Sequence, residues 1–255
     1  MLLAEKVVLV AGVGPGLGQA VALRAAQQGA AVVLAARTPK ILEDLAGKIG
    51  DRALAVPADL SDETAVRRLI DRALEAFGRI DVLVHNAFTM PPMRSLGKVD
   101  LDDLRAGLNG NVLTALRVIR LATPALIESR GAVVVVNSAV LRHSRRPFGP
   151  YKVAKAALLA ATQNLASELG PKGVRVNSVA PGWIWADQLR GWFEFQAAQR
   201  GVPARQIYDE VAATIDLRRL PEPDEVADAI VFLASSLARG VTGACLDVNC
   251  GEFHH

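Results

Sequence analysis

The stretch Lys6-Val7-Val8-Leu9-Val10-Ala11-Gly12-Val13-Gly14-Pro15-Gly16-Leu17-Gly18 decides the fold. A short β-branched run meets a turn of glycines and then an alanine-rich segment of helical period, so a buried strand feeds straight into a helix. Glycines here let the chain turn tightly, let the amides approach a pyrophosphate and let the helix pack close to the sheet, with its N-terminal N–H groups facing the anion. A plain strand-to-helix turn is the competing reading. The spacing Gly12, Gly16, Gly18 puts three residues between the first two glycines, unlike the common dinucleotide fingerprint.

Outward from this turn the pattern repeats. Strands are expected at 6–11, 31–36, 53–57, 81–84, 132–137, 174–179 and 244–248. Helices are expected between them at roughly 17–28, 39–49, 62–77, 101–128, 150–169 and 222–236. Such alternation specifies an α/β fold, a doubly wound parallel sheet of about seven strands with helices on both faces. Gly29, Gly78 and Gly170 sit where helix C-caps belong, and Ser61-Asp62 opens a helix. The segment 183–220 is too long for a structural connection in a compact domain and is expected to be a functional lid on a single domain, 1–255.

Composition narrows the function classes. Of 255 residues, 51% are hydrophobic and 22% charged, and mean hydropathy is +0.25, values that exclude a disordered or coiled-coil chain. A net charge of +3 with no run of more than two basic residues argues against nucleic acid. Cys245 and Cys250 are too few for a disulfide scaffold or a zinc site, so no metal is expected and a reducing, cytoplasmic setting fits. No signal-peptide order and no run of 18 apolar residues occurs, so no membrane span is expected.

A dinucleotide site also needs a group at the end of the second strand to read the adenosine ribose. Ala36-Arg37 stands there, and an Arg favours a 2′-phosphate where a carboxylate would repel it, which points to NADP ahead of NAD; the alternative is a solvated charge. Asp59 either accepts from an adenine amino group or closes a turn. In Tyr151-Lys152-Val153-Ala154-Lys155, residues four apart share a helix face, so a phenol and an ammonium are neighbours, and a cation beside a phenol stabilises the phenolate. Ser138, thirteen residues earlier, ends the fifth strand at the carboxyl edge where a substrate would sit.

These pieces resemble the short-chain dehydrogenase/reductase family from Lys6 to Gly251. The match rests on Gly12-x-x-x-Gly16-x-Gly18, Asp59, Asn86-Ala87, Asn111, Ser138, Tyr151-x-x-x-Lys155 and Pro181-Gly182. The resemblance implies a Rossmann-type fold and hydride transfer between a nicotinamide and a carbonyl or alcohol carbon. It further implies that Tyr151 is the general acid/base, that Lys155 lowers its pKa and binds the nicotinamide ribose, that Ser138 polarises the carbonyl and that Asn111 holds a proton-relay water. Leu17, Leu60 and Ile184 join the glycines, Arg37, Asp59, Asn86, Ala87, Pro181 and Gly182 as expected cofactor contacts. A dimer or tetramer through the helices 101–128 and 150–169 is implied too. Apolar residues on more than one face of each helix agree with it: Val112, Leu113, Leu116, Ile119 and Leu126 on the first, Ala156, Leu158, Leu159, Ala160 and Leu165 on the second.

Several positions depart from the family pattern. Ala11 replaces a Thr, His85 an Asn, Phe88 a Gly and Ala186 a Thr that bonds the carboxamide, for which Asp187 is a candidate substitute. His85 either hydrogen-bonds at the sheet edge or packs, and Cys250 is expected to be a buried filler. Trp183, Trp185, Trp192, Phe193 and Phe195 place five of the twelve aromatic residues in one window. They line a pocket for an apolar or ring-bearing small molecule rather than a sugar, or they anchor the lid to the body or to a neighbouring subunit. Arg190, Arg200 and Arg205 either meet an anionic group or are solvated. The competing functions are a catalytically silent dinucleotide-binding sensor or scaffold, and an epimerase or dehydratase on the same scaffold.

Overall fold

In the computed structural model, which describes residues 1–254, seven parallel strands form one sheet in the order β3-β2-β1-β4-β5-β6-β7. The strands are β1 (Val7–Ala11), β2 (Ala31–Ala36), β3 (Ala53–Pro57), β4 (Val82–His85), β5 (Ala132–Val136), β6 (Arg175–Pro181) and β7 (Cys245–Val248). Each lies within a few residues of its expected place. Strand order reverses between β1 and β4, which opens a crevice at their carboxyl ends.

Alternation along each strand builds two cores. Val8 and Val10 of β1, Val32 and Leu34 of β2 and Val134 of β5 face α1 (Leu17–Gln27), α2 (Pro39–Ile49) and α9 (Pro223–Ala234). Leu9, Val33, Leu83, Val133 and Val176 face the other way, onto α3 (Glu63–Phe77), α5 (Thr114–Glu128) and α6 (Gly149–Leu169). With both faces covered, near-continuous apolar strands replace the in-out alternation of a half-exposed sheet. Each fully buried aliphatic side chain contributes roughly 1.5–3 kcal/mol.

Three local differences from the sequence expectations stand out. The helix expected at 101–128 is α4 (Leu101–Leu108) and α5 joined by a π-helical turn over Asn109–Leu113. By length and hydropathy alone this run is sufficient to cross a membrane, but 44% of its apolar window is buried inside the protein. Gly170 does not terminate α6 in a left-handed cap: its φ is −52°, and Gly173, at φ +85°, makes the turn one 3-10 segment later. Segment 183–220 is not a loop, because α7 (Asp187–Arg200) and α8 (Ala204–Ala212) fold within it. Phe193, Ala197, Ile207 and Ile215 give these helices a third apolar cluster of their own. Other expectations hold: Gly78 caps α3 in the left-handed region, and Asp62 opens it by accepting from the Thr64 N–H at 2.9 Å.

The amino end of the sheet is tied by Asp81. Its carboxylate accepts from Lys6 Nζ (2.9 Å), the Val7 N–H (3.0 Å) and both Arg79 Nε (2.7 Å) and Nη2 (2.6 Å). Burial alone would raise its pKa, yet these donors hold it below the usual carboxylate range.

Candidate active site

At the carboxyl edge of the sheet lies a cavity of about 1130 Å³, larger than a drug-sized site requires. Gly12, Leu17, Gly18, Arg37, Asp59, Leu60, Asn86 and Ala87 line one end; Ser138, Tyr151, Lys155, Pro181, Gly182 and Ile184 line the other. Gly16 and Asn111 stand just behind the wall. The sequence-derived residues therefore converge on one site.

The glycine turn fits a dinucleotide for specific steric reasons. Gly12 has φ +105°, and a Cβ there would lie 2.3 Å from the Ala87 nitrogen; a Cβ on Gly18 would lie 2.5 Å from the Gly12 oxygen. Around Gly14 there is open space, on the side where a ligand approaches. Asn86 Nδ2 donates to the Gly12 oxygen at 2.7 Å and ties the turn to the end of β4. The N-terminus of α1 opens into this space with no side-chain cap and no acidic residue in its first turn, which leaves its amides to an anion. Asp59 accepts from the Ser61 N–H (2.8 Å) and hydroxyl (2.7 Å), both of which lower its pKa, so it closes a turn while lining the cavity. Arg37 is exposed at the end of β2 with no ion pair among the described residues.

Tyr151 and Lys155 lie one turn apart on α6, with Lys155 Nζ 5.7 Å from the phenol ring centroid and donating to the Val136 oxygen at 3.0 Å. Lys155 is 1% exposed. Burial pushes its pKa down to about 7 and that of Tyr151 up to about 12, while the Ser138 hydroxyl pulls the phenol back down. Ser138 Oγ also accepts from the Val140 N–H at 3.2 Å, which fixes its direction at the end of β5. The widened π turn presents Asn111, whose Nδ2 donates to the oxygens of Thr89 (2.7 Å) and Gly107 (2.8 Å). Its Oδ1 has no partner among the described residues, nor has either side-chain polar atom of Asn137.

Other expectations are resolved or corrected. His85 is fully buried, and neither ring nitrogen has a hydrogen-bond partner in another described residue; burial and then the Lys155 charge lower its pKa to about 3, so it packs as a neutral ring. Asp187 does not stand in for the missing Thr, because its side chain is 85% exposed and lies 3.7 Å from Arg190. Ala186 and Gln188 line the cavity instead. Cys250 is not buried filler: it is half-buried with φ +56°, a turn conformation that usually favours glycine. Arg200 pairs with Glu210 and Arg205 with Asp209, so neither faces a ligand. Leu158 is buried within the protomer, so of the residues expected on the outer face of α6 Ala156 and Ala160 are exposed and Leu159 is half-buried.

Sequence reasoning missed Asn137, His143, Phe148, Glu252 and Phe253, all in the cavity wall. A usable signal existed for the last two: β7 is parallel to its neighbours, so whatever follows it must emerge at the active edge.

Comparison with known proteins agrees with this arrangement. A family model described as enoyl-(acyl carrier protein) reductase matches residues 12–252. The chain is 36% identical to a cis-4-hydroxycyclohexanecarboxylate dehydrogenase of Sinomonas cyclohexanicum, over 97% of this chain and 96% of that one. It is 35% identical to an L-rhamnose 1-dehydrogenase (NAD(P)(+)) of Azotobacter vinelandii, over 99% and 98%. A solved 7α-hydroxysteroid dehydrogenase, in complex with NADH and 7-oxo glycochenodeoxycholic acid, superposes with a TM-score of 0.88 at 27% identity, covering 99% of this chain and 96% of that one. With the parallel sheet, the glycine turn and the Tyr151–Lys155 pair at one edge, the chain belongs to the short-chain dehydrogenase/reductase family of NAD(P)-dependent oxidoreductases.

Proposed function

We propose that this protein transfers a hydride between NADP(H), or less readily NAD(H), and the carbinol or carbonyl carbon of an apolar, ring-bearing small molecule. The observation that carries the reading is the pair of half-buried Tyr151 and buried Lys155 sharing one cavity with Ser138 and the glycine turn. The dinucleotide supplies the acceptor or donor of the hydride. In the oxidative direction Tyr151 Oη takes the alcohol proton as the C–H bond yields its electron pair, and in reduction it returns that proton to the oxygen. Ser138 Oγ holds the reacting oxygen by a hydrogen bond. Tyr151 must be anionic to act as the base, and the Lys155 ammonium favours that form against the burial that keeps the phenol protonated. The oriented Asn111 amide, with Oδ1 free, suits a relay that returns the proton to solvent by way of Lys155.

Preference for NADP rests on Arg37, which makes no ion pair among the described residues and has no carboxylate at the end of its own strand, β2, while its charge reaches Asp59 across the site. Apolar substrate rests on Phe88, Met90, Met93, Phe148, Trp183 and Trp192 in the wall. Assembly as a homodimer or homotetramer rests on the exposed Leu113 and the outer face of α6 with Leu159. The test is reduced-nicotinamide absorbance with a panel of cyclic secondary alcohols and ketones against both dinucleotides. Turnover with the panel, faster with NADP, is the expected result; no turnover with either dinucleotide would overturn the reading.

A further inference from the structure

The chain's tail enters the site. After β7, Asn249 accepts from the Gly251 N–H at 2.9 Å and donates to the Phe253 oxygen at 3.0 Å, while the Glu252 N–H donates to the Asn249 oxygen at 3.0 Å. This turn fixes Glu252 and Phe253 in the cavity wall. The Glu252 side chain is only 4% exposed. Its Oε1 accepts from Trp183 Nε1 at 2.9 Å, and the half-exposed Arg145, which is not part of the wall, reaches the same oxygen at 3.8 Å, beyond hydrogen-bond length. Oε2 has no hydrogen-bond partner among the described residues. It lies 2.9 Å from where a Cβ on Gly182 would be, so the absence of a side chain at Gly182 makes room for it beside the reacting end of the cavity.

Burial raises the Glu252 pKa and disfavours its charged form, which a donor placed against Oε2 from the cavity would restore. The surroundings say which donor. Phe148, Trp183, Trp192 and Phe253 line this part of the cavity, and aromatic faces attract cations. His143 beside them has its pKa lowered by burial and then by Arg145 and Lys152. Arg37 is the only arginine in the wall among the described residues, and it stands at the far, ribose end; Arg190, Arg200 and Arg205 answer acids of their own. Away from Lys155, the wall of the substrate end therefore carries one negative group; Arg145 pairs with its Oε1 from outside the wall at 3.8 Å and lies over the Phe253 ring, and Oε2 keeps no donor among the described residues.

We propose that Glu252, with the rings around it, is the subsite for a cationic head group, and that the preferred substrates are ring-bearing alcohols or ketones carrying a protonated or quaternary amine. The proposal rests on the oxidoreductase reading above, in that it names the substrate class of the same site.

Two measurements test it. The first compares kcat/KM for 4-aminocyclohexanol, cyclohexanol and 4-hydroxycyclohexanecarboxylate in the wild type and in Glu252→Gln, which keeps the acceptor for Trp183 but removes the charge. The amine should lead the neutral alcohol by at least about tenfold, the carboxylate should trail, and the lead should fall to within about twofold in the variant. Equal rates for the three, a lead for the carboxylate, or a lead that survives in the variant would overturn the subsite. The second measures direct binding of benzyltrimethylammonium by quenching of tryptophan fluorescence, with benzyl alcohol and benzoate as controls. Binding at least about tenfold tighter than either control, lost in Glu252→Gln, is expected. Absence of that difference overturns the proposal even if no alcohol is turned over, whereas tight binding without turnover would count against the oxidoreductase reading alone.

Discussion

The two ends of the sheet treat buried polar groups in opposite ways. At the amino ends one buried carboxylate, Asp81, receives four donors from Lys6, Val7 and Arg79. At the carboxyl ends the side-chain polar atoms of His85 and Asn137 and the Asn111 Oδ1 are buried without hydrogen-bond partners among the described residues, and Lys155 Nζ donates to one carbonyl. Native interiors rarely leave such groups unpaired, so a concentration of them at one edge marks where the fold has kept bonding capacity for something else. The amino edge holds the sheet together; the carboxyl edge is arranged for a ligand.

Substitutions can break that contrast. Tyr151→Phe should reduce kcat by about 10²- to 10⁴-fold while leaving dinucleotide affinity nearly unchanged, as steady-state rates and a binding titration would reveal. Retention of more than roughly a tenth of the rate would remove the phenol from its role. Lys155→Met should cost turnover on a similar scale, about 10²-fold or more. The free variant should nonetheless melt no lower than the wild type, because a buried ammonium is exchanged for an apolar chain of similar length. A clear fall in its melting temperature would make Lys155 a structural residue instead.

Arg37→Asp should move the NADP-to-NAD ratio of kcat/KM by about 10- to 100-fold toward NAD, replacing an attraction for the 2′-phosphate by a repulsion. At the other end of the sheet, Asp81→Ala should lower unfolding free energy by about 1–3 kcal/mol in denaturant melts with kcat unchanged, since it strands the buried Val7 N–H and frees two half-exposed cations. A loss of kcat without a loss of stability would erase the division between the edges.

Acid and base should separate the edges as well. Lys155 has a folded pKa of about 7 against an ordinary 10.5, so between those values the unfolded chain binds the extra proton and the stability of the free protein rises with pH. Tyr151, raised from 10.0 to about 12, has the opposite sign and takes stability away above pH 10, which confines the rise to the window from about 7 to about 10. Asp81 is held below 3.8, so its contribution is full above that value and is lost as the pH falls beneath it. Thermal melts of wild type, Lys155→Met and Asp81→Ala across these ranges assign each limb: the alkaline rise should vanish in the first variant and the acid loss should shrink in the second.

Much of this was legible in the chain because local rules and global fold agreed. β-Branched runs, glycine turns and helical period each point to the same parallel sheet, and the spacing of Tyr151 and Lys155 fixes their meeting on one turn of helix. What was hidden depended on packing. The π turn at Asn111 is invisible to hydropathy, since 109–113 reads as helix in either geometry. Helices α7 and α8 were concealed in a segment with mixed periodicity, where aromatic residues serve both a local core and the cavity. Glu252 reads as a surface residue until the tail's turn carries it beneath Trp183.

The separate apolar cluster under α7 and α8 has a consequence for how this enzyme can change. Phe193, Ala197, Ile207 and Ile215 hold α7 and α8 together without drawing on either core of the sheet. Replacement of 183–220 by the corresponding segment of a relative should therefore transplant selectivity as a cassette. Such a graft must retain the seams that join the segment to the rest of the molecule, among them the Trp183–Glu252 bond, the Leu217–Cys250 backbone bond and the Arg219–Glu225 pair, and lineages that rewrite this segment would then explore new substrates while inheriting their hydride chemistry unaltered.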